Sequence, residues 1–397
     1  MKRPITLSRP GIVSALGAGI DATKERLFAG DTSGMLAETG WLNGDAIARV
    51  GRFTGALPQL PDDAWHRRHD SRNNRLLLAA FAQIEDDFRS LLSCFGADRI
   101  GVVLGTSTSG VAEGEAAIAA HVRIGHFPES FAYEQMEIGD PAVFLARHLG
   151  LGGPAYTVST ACTSGGKALV SARLLIESGF CDAVITGGVD SLCRLTVGGF
   201  TALESTSPEI CQPLSRNRRG INIGEGAALF LMAKEAGPVA LLGVGESSDA
   251  HHISAPEPEG RGAEAAMRAA MADAGLAPAD IGYLNLHATA TPKNDAMESL
   301  AVARVFESGV AVSGTKPMTG HALGAAGALE AAFCWLALTD PAGRLPPHVW
   351  DGEADPELPR LDVISVGRCF TTGPRVAMSI SFAFGGNNLS LIFGSTA

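Results

Sequence analysis

Long apolar runs are missing from this chain. None of its 397 residues falls in a stretch near the ~18 consecutive apolar positions that a membrane-crossing helix needs, so no membrane span is expected. Positive charge is short as well. With 31 Lys and Arg against 42 Asp and Glu the formal charge is −11, which argues against nucleic acid as the main partner because phosphate binding requires a basic footprint. The opening Met1-Lys2-Arg3-Pro4 is charged but is followed by no apolar core of signal-peptide length, so a cytoplasmic protein is expected. The seven cysteines (94, 162, 181, 193, 211, 334 and 369) form no CxxC pair and no zinc spacing, which speaks for reduced thiols and against a metal site. Six of them read as small buried hydrophobes. No low-complexity linker divides the chain.

Glycine is abundant, at 48 residues, as α/β enzymes with many tight strand ends require. Helix-like and strand-like segments alternate along the whole length, which predicts an α/β layered fold. Leu76 to Phe95 is expected as one helix, closed by Gly96, and Ile100 to Leu104 as a strand opening into the small-residue loop 105–110. The same order returns with a helix over Glu264 to Ala274, closed by Gly275, and a strand over Ile281 to Leu286. A second echo links Tyr156–Leu175 to Val310–Leu338. Each has a β-branched strand, a Ser/Thr/Gly turn and a helix rich in small residues. Residues 1–240 and 241–397 therefore read as diverged copies of one unit, packed as one body.

In Val158-Ser159-Thr160-Ala161-Cys162-Thr163-Ser164-Gly165-Gly166 an apolar strand stops, the residues become small, and a helix follows to about Ser178. Its inward stripe is expected at Ala168, Leu169, Ala172, Leu175 and Ile176. Cys162 then lies at a helix N-terminus, where free N–H groups and the helix dipole favour a thiolate. A lone cysteine is more often merely buried, and two histidines shift the balance. His287 ends the second predicted strand, and His321 in Thr315-Lys316-Pro317-Met318-Thr319-Gly320-His321 is expected to start a helix, at the position equivalent to Cys162. Strand ends on one edge of an α/β sheet are where ligands bind, so the three are expected to converge there. His251 and His252 are read as structural or supporting. The C-terminal strands Val376–Ser381 and Leu389–Phe393 flank Gly385-Gly386-Asn387-Asn388, whose composition suits left-handed turn conformations.

Taken together, Thr160–Ser164, His287–Asp295, Thr315–His321 and Phe384–Asn388 resemble the β-ketoacyl-acyl-carrier-protein synthases of types I and II, in matching order over nearly the whole chain. The resemblance implies a thiolase fold, in which two pseudo-symmetric halves give a five-layered αβαβα architecture. It puts the family's nucleophile on Cys162, its catalytic histidines on His287 and His321, and its supporting lysine on Lys316. Thr289 and Thr291 match the pair that contacts phosphopantetheine. Asp295, Glu298 and Glu330 match acidic residues that organise the site. Phe384 matches the gating phenylalanine, beside Gly385 and Gly386, and its N–H belongs to the oxyanion hole with that of Cys162. No cofactor or metal is implied, since the substrates ride on acyl carrier protein. A homodimer, or a heterodimer with a related synthase or chain-length-factor subunit, is implied too.

Three positions depart from the pattern: Ala288 and Ala383 replace glycines, and Arg219 replaces an Asp. A Cβ on Ala383 is expected to penalise positive φ and to restrict the swing of Phe384. The segments Gly188–Cys193 and Gly245–His252 are similar to a bacterial subgroup that accompanies aryl-polyene clusters. The implied reaction is a decarboxylative Claisen condensation of an acyl group on Cys162 with malonyl-ACP, an acyltransferase chemistry. A thiolase acting on CoA esters is disfavoured because Cys369 lies outside the loop that would carry its second cysteine. A type III synthase would have Asn at His321, and a non-catalytic chain-length partner would lack Cys162. Two arginine groups, Arg67, Arg68, Arg72 and Arg75, and Arg216, Arg218 and Arg219, offer landing sites for an acidic carrier protein.

Overall fold

The computed structural model describes residues 4–234, 237–371 and 375–396, so Met1, Lys2 and Arg3 of the charged opening lie outside it. Ten strands carry the architecture: β1 (Ile5–Leu7), β2 (Ile100–Gly105), β3 (Ala155–Val158), β4 (Ala183–Asp190), β5 (Gly226–Lys234), β6 (Val239–Ser248), β7 (Tyr283–Asn285), β8 (Ala311–Ser313), β9 (Val376–Ala383) and β10 (Asn387–Ser395). They pair in the order β8-β7-β9-β10-β6-β1-β5-β4-β2-β3. Read outward from the centre, the two wings repeat each other. β2 runs parallel to β3 and β4, and β4 antiparallel to β5. β7 runs parallel to β8 and β9, and β9 antiparallel to β10. The wings join through the antiparallel pair β1–β6, with Thr6 opposite Ala240 and Leu7 opposite Val239.

Helices fill the remaining layers. α1 (Arg72–Phe81) and α4 (Asp140–His148) cover one sheet wing, and α7 (Arg261–Ala274) with α8 (Pro292–Val305) covers the other. Between the wings lie α5 (Ser164–Glu177) and α9 (Ala326–Thr339). α9 is buried along nearly its whole length, as expected of a helix apolar on every side. The expected stripe of α5 holds, with Ala168, Leu169, Ala172 and Ile176 buried and Leu175 half-buried. Layers of helix, sheet, helix pair, sheet and helix result. Among the described residues no helix is long and apolar enough to cross a membrane.

Two expectations fail, the first for an identifiable reason. The helix foreseen over Leu76 to Phe95 is broken into α1 and α2 (Glu85–Phe95). The side chain of Gln83 accepts from the Ile12 N–H at 2.9 Å and donates to the Ile12 carbonyl at 3.0 Å, so a strand far away in sequence claims the joint. Of the cysteines, Cys94 and Cys369 are exposed; the other five are buried.

Ala288, one of the unusual residues, has a φ of +44° and is fully buried. Its methyl occupies the space a side chain on residue 314 would need, for a Cβ on Gly314 would lie 2.3 Å from that of Ala288. Gly314→Ala is therefore expected to destabilise the fold by about 1–3 kcal/mol, the usual cost of overpacking. Ala288→Gly placed in the same chain should return most of that loss. Urea unfolding of the two single variants and the double variant measures the coupling.

Candidate active site

Cys162 follows the end of β3 and precedes α5, whose N-cap is Thr163. The turn is held open by Ala161 at φ +54°, a conformation costly for a residue with a Cβ. Ser164 pins it, accepting from the Thr160 N–H at 2.9 Å and donating to the Ala161 carbonyl at 2.5 Å. The turn is thereby raised so that the Cys162 sulfur faces a cavity of ≈ 320 Å³, lined also by His287, His321, Thr289, Thr291 and Phe384.

The two histidines arrive from the other wing. His287 follows β7, and its loop is tied down from α8. The Glu298 carboxylate accepts from the His287 N–H at 2.6 Å and the Ala288 N–H at 2.8 Å. Asp295 accepts from Ala290 N–H at 3.1 Å and from Leu214 N–H at 2.8 Å. Burial raises both acids, Glu298 to about 8 with the neighbouring Asp295 charge adding to it, and Asp295 to about 6. His321 does not start a helix as expected. It sits in the link between a short helix, Lys316–Thr319, and α9, where its N–H donates to the Asn222 carbonyl at 2.7 Å. This hold from a strand-end residue aims the ring across the seam. His321 Nε2 lies 3.0 Å from Cys162 Sγ, and the His287 and His321 rings meet edge-on at 5.2 Å.

Lys316 is buried behind them. Its ammonium bonds the Glu330 carboxylate and the His287 carbonyl and lies 3.4 Å from His287 Nδ1. Burial, followed by the Lys316 charge, holds both imidazoles well below the ordinary histidine range. The thiol departs from the thiolate expected at a helix N-terminus. Burial pushes Cys162 up to about 12, against the lowering effects of Lys316 and the Phe384 N–H. Desolvation of the anion outweighs the dipole here. The resting pair is thus a thiol beside a neutral imidazole, ready for transfer of the proton to Nε2 once a thioester is in place.

Thr289 and Thr291 stand at the cavity mouth with their hydroxyls 2.9 Å apart. Phe384 caps it, partly exposed, its backbone N–H favouring the anionic form of the Cys162 sulfur and its ring 5.4 Å from that of Phe200. Gly385 and Gly386 are left-handed, at φ +86° and +79°. Ala383 behaves otherwise than expected. It is the last residue of β9, paired with Asn387, so its extended backbone accepts a Cβ without penalty. Neither arginine group forms an open basic patch. Arg67 pairs with Asp62 at 2.6 Å, Arg75 with Asp70 at 2.6 Å, Arg68 with Glu134, and Arg72 with the buried Glu225. Arg218 pairs with Asp355 at 2.5 Å and Arg216 with Glu353 at 3.8 Å, leaving Arg219 exposed without a carboxylate partner among the described residues. His251 and His252 are exposed.

Three further residues shape the site. Phe200 lines the cavity, and nothing in a helix of small residues marks it. Asp190 ends the wholly buried β4 and accepts from the Ser107 and Thr108 N–H groups at 2.8 Å each, fixing the loop behind Cys162. A charge closing an apolar strand was a readable signal. Asp249 accepts from Asn388 at 2.6 Å, and its N–H donates to the Gly386 carbonyl at 2.8 Å, bracing the 385–388 turn.

Residues 60–236 match the family pattern described as beta-ketoacyl synthase, N-terminal domain, and residues 239–349 its C-terminal domain. The chain belongs to the beta-ketoacyl synthase family. It is 35% identical to nodulation protein E of Rhizobium meliloti over 89% of this chain and 90% of that one. It is 36% identical to 3-oxoacyl-[acyl-carrier-protein] synthase 2 of Staphylococcus aureus over 75% and 77%. Among solved structures, that of ketosynthase ApeO in complex with its chain length factor ApeC from Xenorhabdus doucetiae contains a chain 45% identical to this one. The two superpose with a TM-score of 0.94 over 99% of this chain and 98% of that one. This beta-ketoacyl synthase has the thiolase fold and is a condensing acyltransferase of fatty-acid or polyketide biosynthesis.

Two measurements follow from the site. With both imidazoles held below the usual range, the protonated form is disfavoured and the rings should stay neutral as pH falls from 8 to 6. Histidine-labelled NMR checks this, the shifts of His287 and His321 being expected not to titrate in that window. For the cap, a Cβ on Gly386 would lie 3.0 Å from the Asp249 Cβ, in a left-handed residue, whereas one on Gly385 meets only Asn387 at 3.7 Å. The left-handed penalty of about 1–2 kcal/mol applies to both and the collision to one. Gly386→Ala should therefore slow single-turnover acylation about tenfold or more, Gly385→Ala less, and Ala383→Gly hardly at all.

Proposed function

We propose that this chain carries an acyl group on Cys162 and condenses it with a malonyl unit delivered by acyl carrier protein. The observation that supports this most is the meeting of Cys162, His287 and His321, from opposite wings of the sheet, on one cavity capped by Phe384. In the first half-reaction the Cys162 sulfur attacks the acyl thioester. A new S–C bond forms as the carrier's S–C bond breaks, and the thiol proton passes through His321 Nε2 to the leaving pantetheine sulfur. The N–H groups of Cys162 and Phe384 hold the tetrahedral oxyanion, where such donors are worth ~3–4 kcal/mol each. Malonyl-ACP then enters past Thr289 and Thr291, whose hydroxyls line its path. Its terminal C–C bond breaks to release CO2, and the electron pair passes to an enolate whose oxygen receives hydrogen bonds from His287 and His321. The enolate carbon attacks the acyl carbon, a C–C bond forms as the Cys162 S–C bond breaks, and the released thiolate takes up one proton from solvent. Lys316, Glu330, Asp295 and Glu298 act by positioning these groups.

The finer assignment is an aryl-polyene pathway, supported by the Gly188–Cys193 and Gly245–His252 segments and by the 45% identity to a chain of the ApeO–ApeC complex. That complex holds a chain length factor, and a related subunit or a second copy is the partner proposed here. Exposed Ile118, Val122, Ile124 and Phe127, beside a groove of ≈ 890 Å³, supply an apolar surface for it.

The test separates nucleophile from enolate donors. Incubation with acyl-ACP should add one acyl group, located by peptide mass spectrometry at Cys162 and absent in Cys162→Ala. His287→Ala and His321→Ala should still accept some acyl chain yet release CO2 from malonyl-ACP at least ~100-fold more slowly. Acylation that persists in Cys162→Ala, or wild-type CO2 release by both histidine variants, contradicts the assignment.

A further inference from the structure

The same three side chains have a second chemical capacity. Sulfur and imidazole nitrogen are the ligands that borderline-soft cations such as Zn2+ prefer, and three of them with one open position is the arrangement of a catalytic-type zinc site. Here one ligand atom each from Cys162, His287 and His321 lies within 4.8 Å of the others, all three residues being buried. His321 offers Nε2, 3.0 Å from the sulfur. His287 turns Nδ1 toward the Lys316 ammonium, at 3.4 Å, so its Nε2 ligates a metal only when the ring proton moves from Nε2 to Nδ1. Bond lengths of about 2.3 Å to sulfur and 2.0–2.1 Å to nitrogen put tetrahedral ligand atoms ~3.3–3.6 Å apart. Ligand atoms up to 4.8 Å apart must therefore close by up to about 1.5 Å when a metal binds. The fourth position faces the cavity, open to water.

We propose that Cys162, His287 and His321 form an inhibitory site for a thiophilic divalent cation, with Zn2+ as the leading candidate. Binding exchanges the thiol proton for the metal: a Zn–S bond and two Zn–N bonds form, waters leave the ion, and one proton passes to solvent. No electron is transferred. The sulfur lone pair that would attack a thioester is then held by the metal, so the free-thiol chemistry stops until the ion is removed.

The surroundings set the ion's role as inhibitor rather than resident. His321 Nδ1 is buried without a hydrogen-bond partner, whereas ligating histidines normally donate that N–H to a carboxylate or carbonyl. Loss of such a partner typically weakens affinity 10–100-fold. The buried Lys316 ammonium close by repels a second cation, and its own carboxylate, Glu330, is engaged with it. A reversible site follows. The exposed Cys94 and Cys369 have no such pair of histidines beside them among the described residues and should not compete.

The experiment uses the full chain and does not depend on the condensing reaction. Co2+ serves as the spectroscopic probe, and Zn2+ and Mg2+ as competitors. Co2+ should give tetrahedral d–d bands with a sulfur-to-metal charge-transfer band, displaced by Zn2+ and untouched by Mg2+. Cys162→Ala should abolish the charge-transfer band, and His321→Ala should weaken Zn2+ binding at least ~10-fold. Circular dichroism and the unfolding midpoint confirm that each variant is folded, and His287→Ala gives a second nitrogen variant if His321→Ala does not fold. In the wild type, Zn2+ should protect Cys162, but not Cys94 or Cys369, from iodoacetamide, and EDTA should restore its alkylation. Equal Zn2+ affinity in wild type and Cys162→Ala, or alkylation of Cys162 unchanged by saturating Zn2+, overturns the proposal. Protection without measurable acyl transfer would leave the metal site standing and count against the synthase roles instead.

Discussion

The ammonium of Lys316, only about 2% exposed, is bonded to Glu330 on the central helix α9 and to the carbonyl of His287 at the end of β7. An isolated charge at such depth would be prohibitively costly, so it persists only with its carboxylate and carbonyl in place. Removing one partner of such a pair typically costs 3–5 kcal/mol. The same ammonium acts on the chemistry. After burial it is the next influence that holds both imidazoles neutral, and it is the largest of the influences that oppose the upward shift of the Cys162 thiol. The catalytic turn, the two histidines and the core helix are thus coupled through one buried cation.

Around that cation the protein arranges carboxylates as scaffolding. Glu298 and Asp295 hold the 287–291 loop, Asp190 the loop behind Cys162, and Asp249 the turn beyond Phe384. The first three accept backbone N–H groups that lie outside regular structure, which satisfies loop donors that burial would otherwise leave unpaired, and Asp249 accepts from the Asn388 side-chain amide. The result is a braced backbone around the three reactive side chains, with the left-handed Gly385-Gly386 turn at its rim. Ala161 and Ala288 show the local cost. Both are held at positive φ, where strain persists only because the surroundings fix it.

How much of this was legible in the chain depends on distance along it. The strand–Cys162–helix passage, the closing glycine of α7, the Gly-Gly turn and the central helix rich in alanine follow from local chemistry, and the repeated order of segments foreshadowed the repeated sheet wings. Three readings failed where pairing with another residue intervened, twice with a partner far along the chain. Gln83 answers to Ile12 and interrupts a helix that its own neighbourhood would continue. Arg72, read as a landing site, is taken by Glu225, and Arg75 by Asp70. Ala383 looked like a hinge penalty and proved to be strand.

The sequence by itself determined the layered α/β class, the reactive residue types and their positions at strand ends, because periodicity, turn composition and motif order are properties of short segments. Only the tertiary structure decided what those residues are. Burial made Cys162 a thiol rather than the thiolate its helix would favour, and made neutral bases of two histidines separated by 34 positions in the chain. Desolvation and ion pairing depend on which groups are brought together in space, and that information appears only when the two wings of the sheet close on each other.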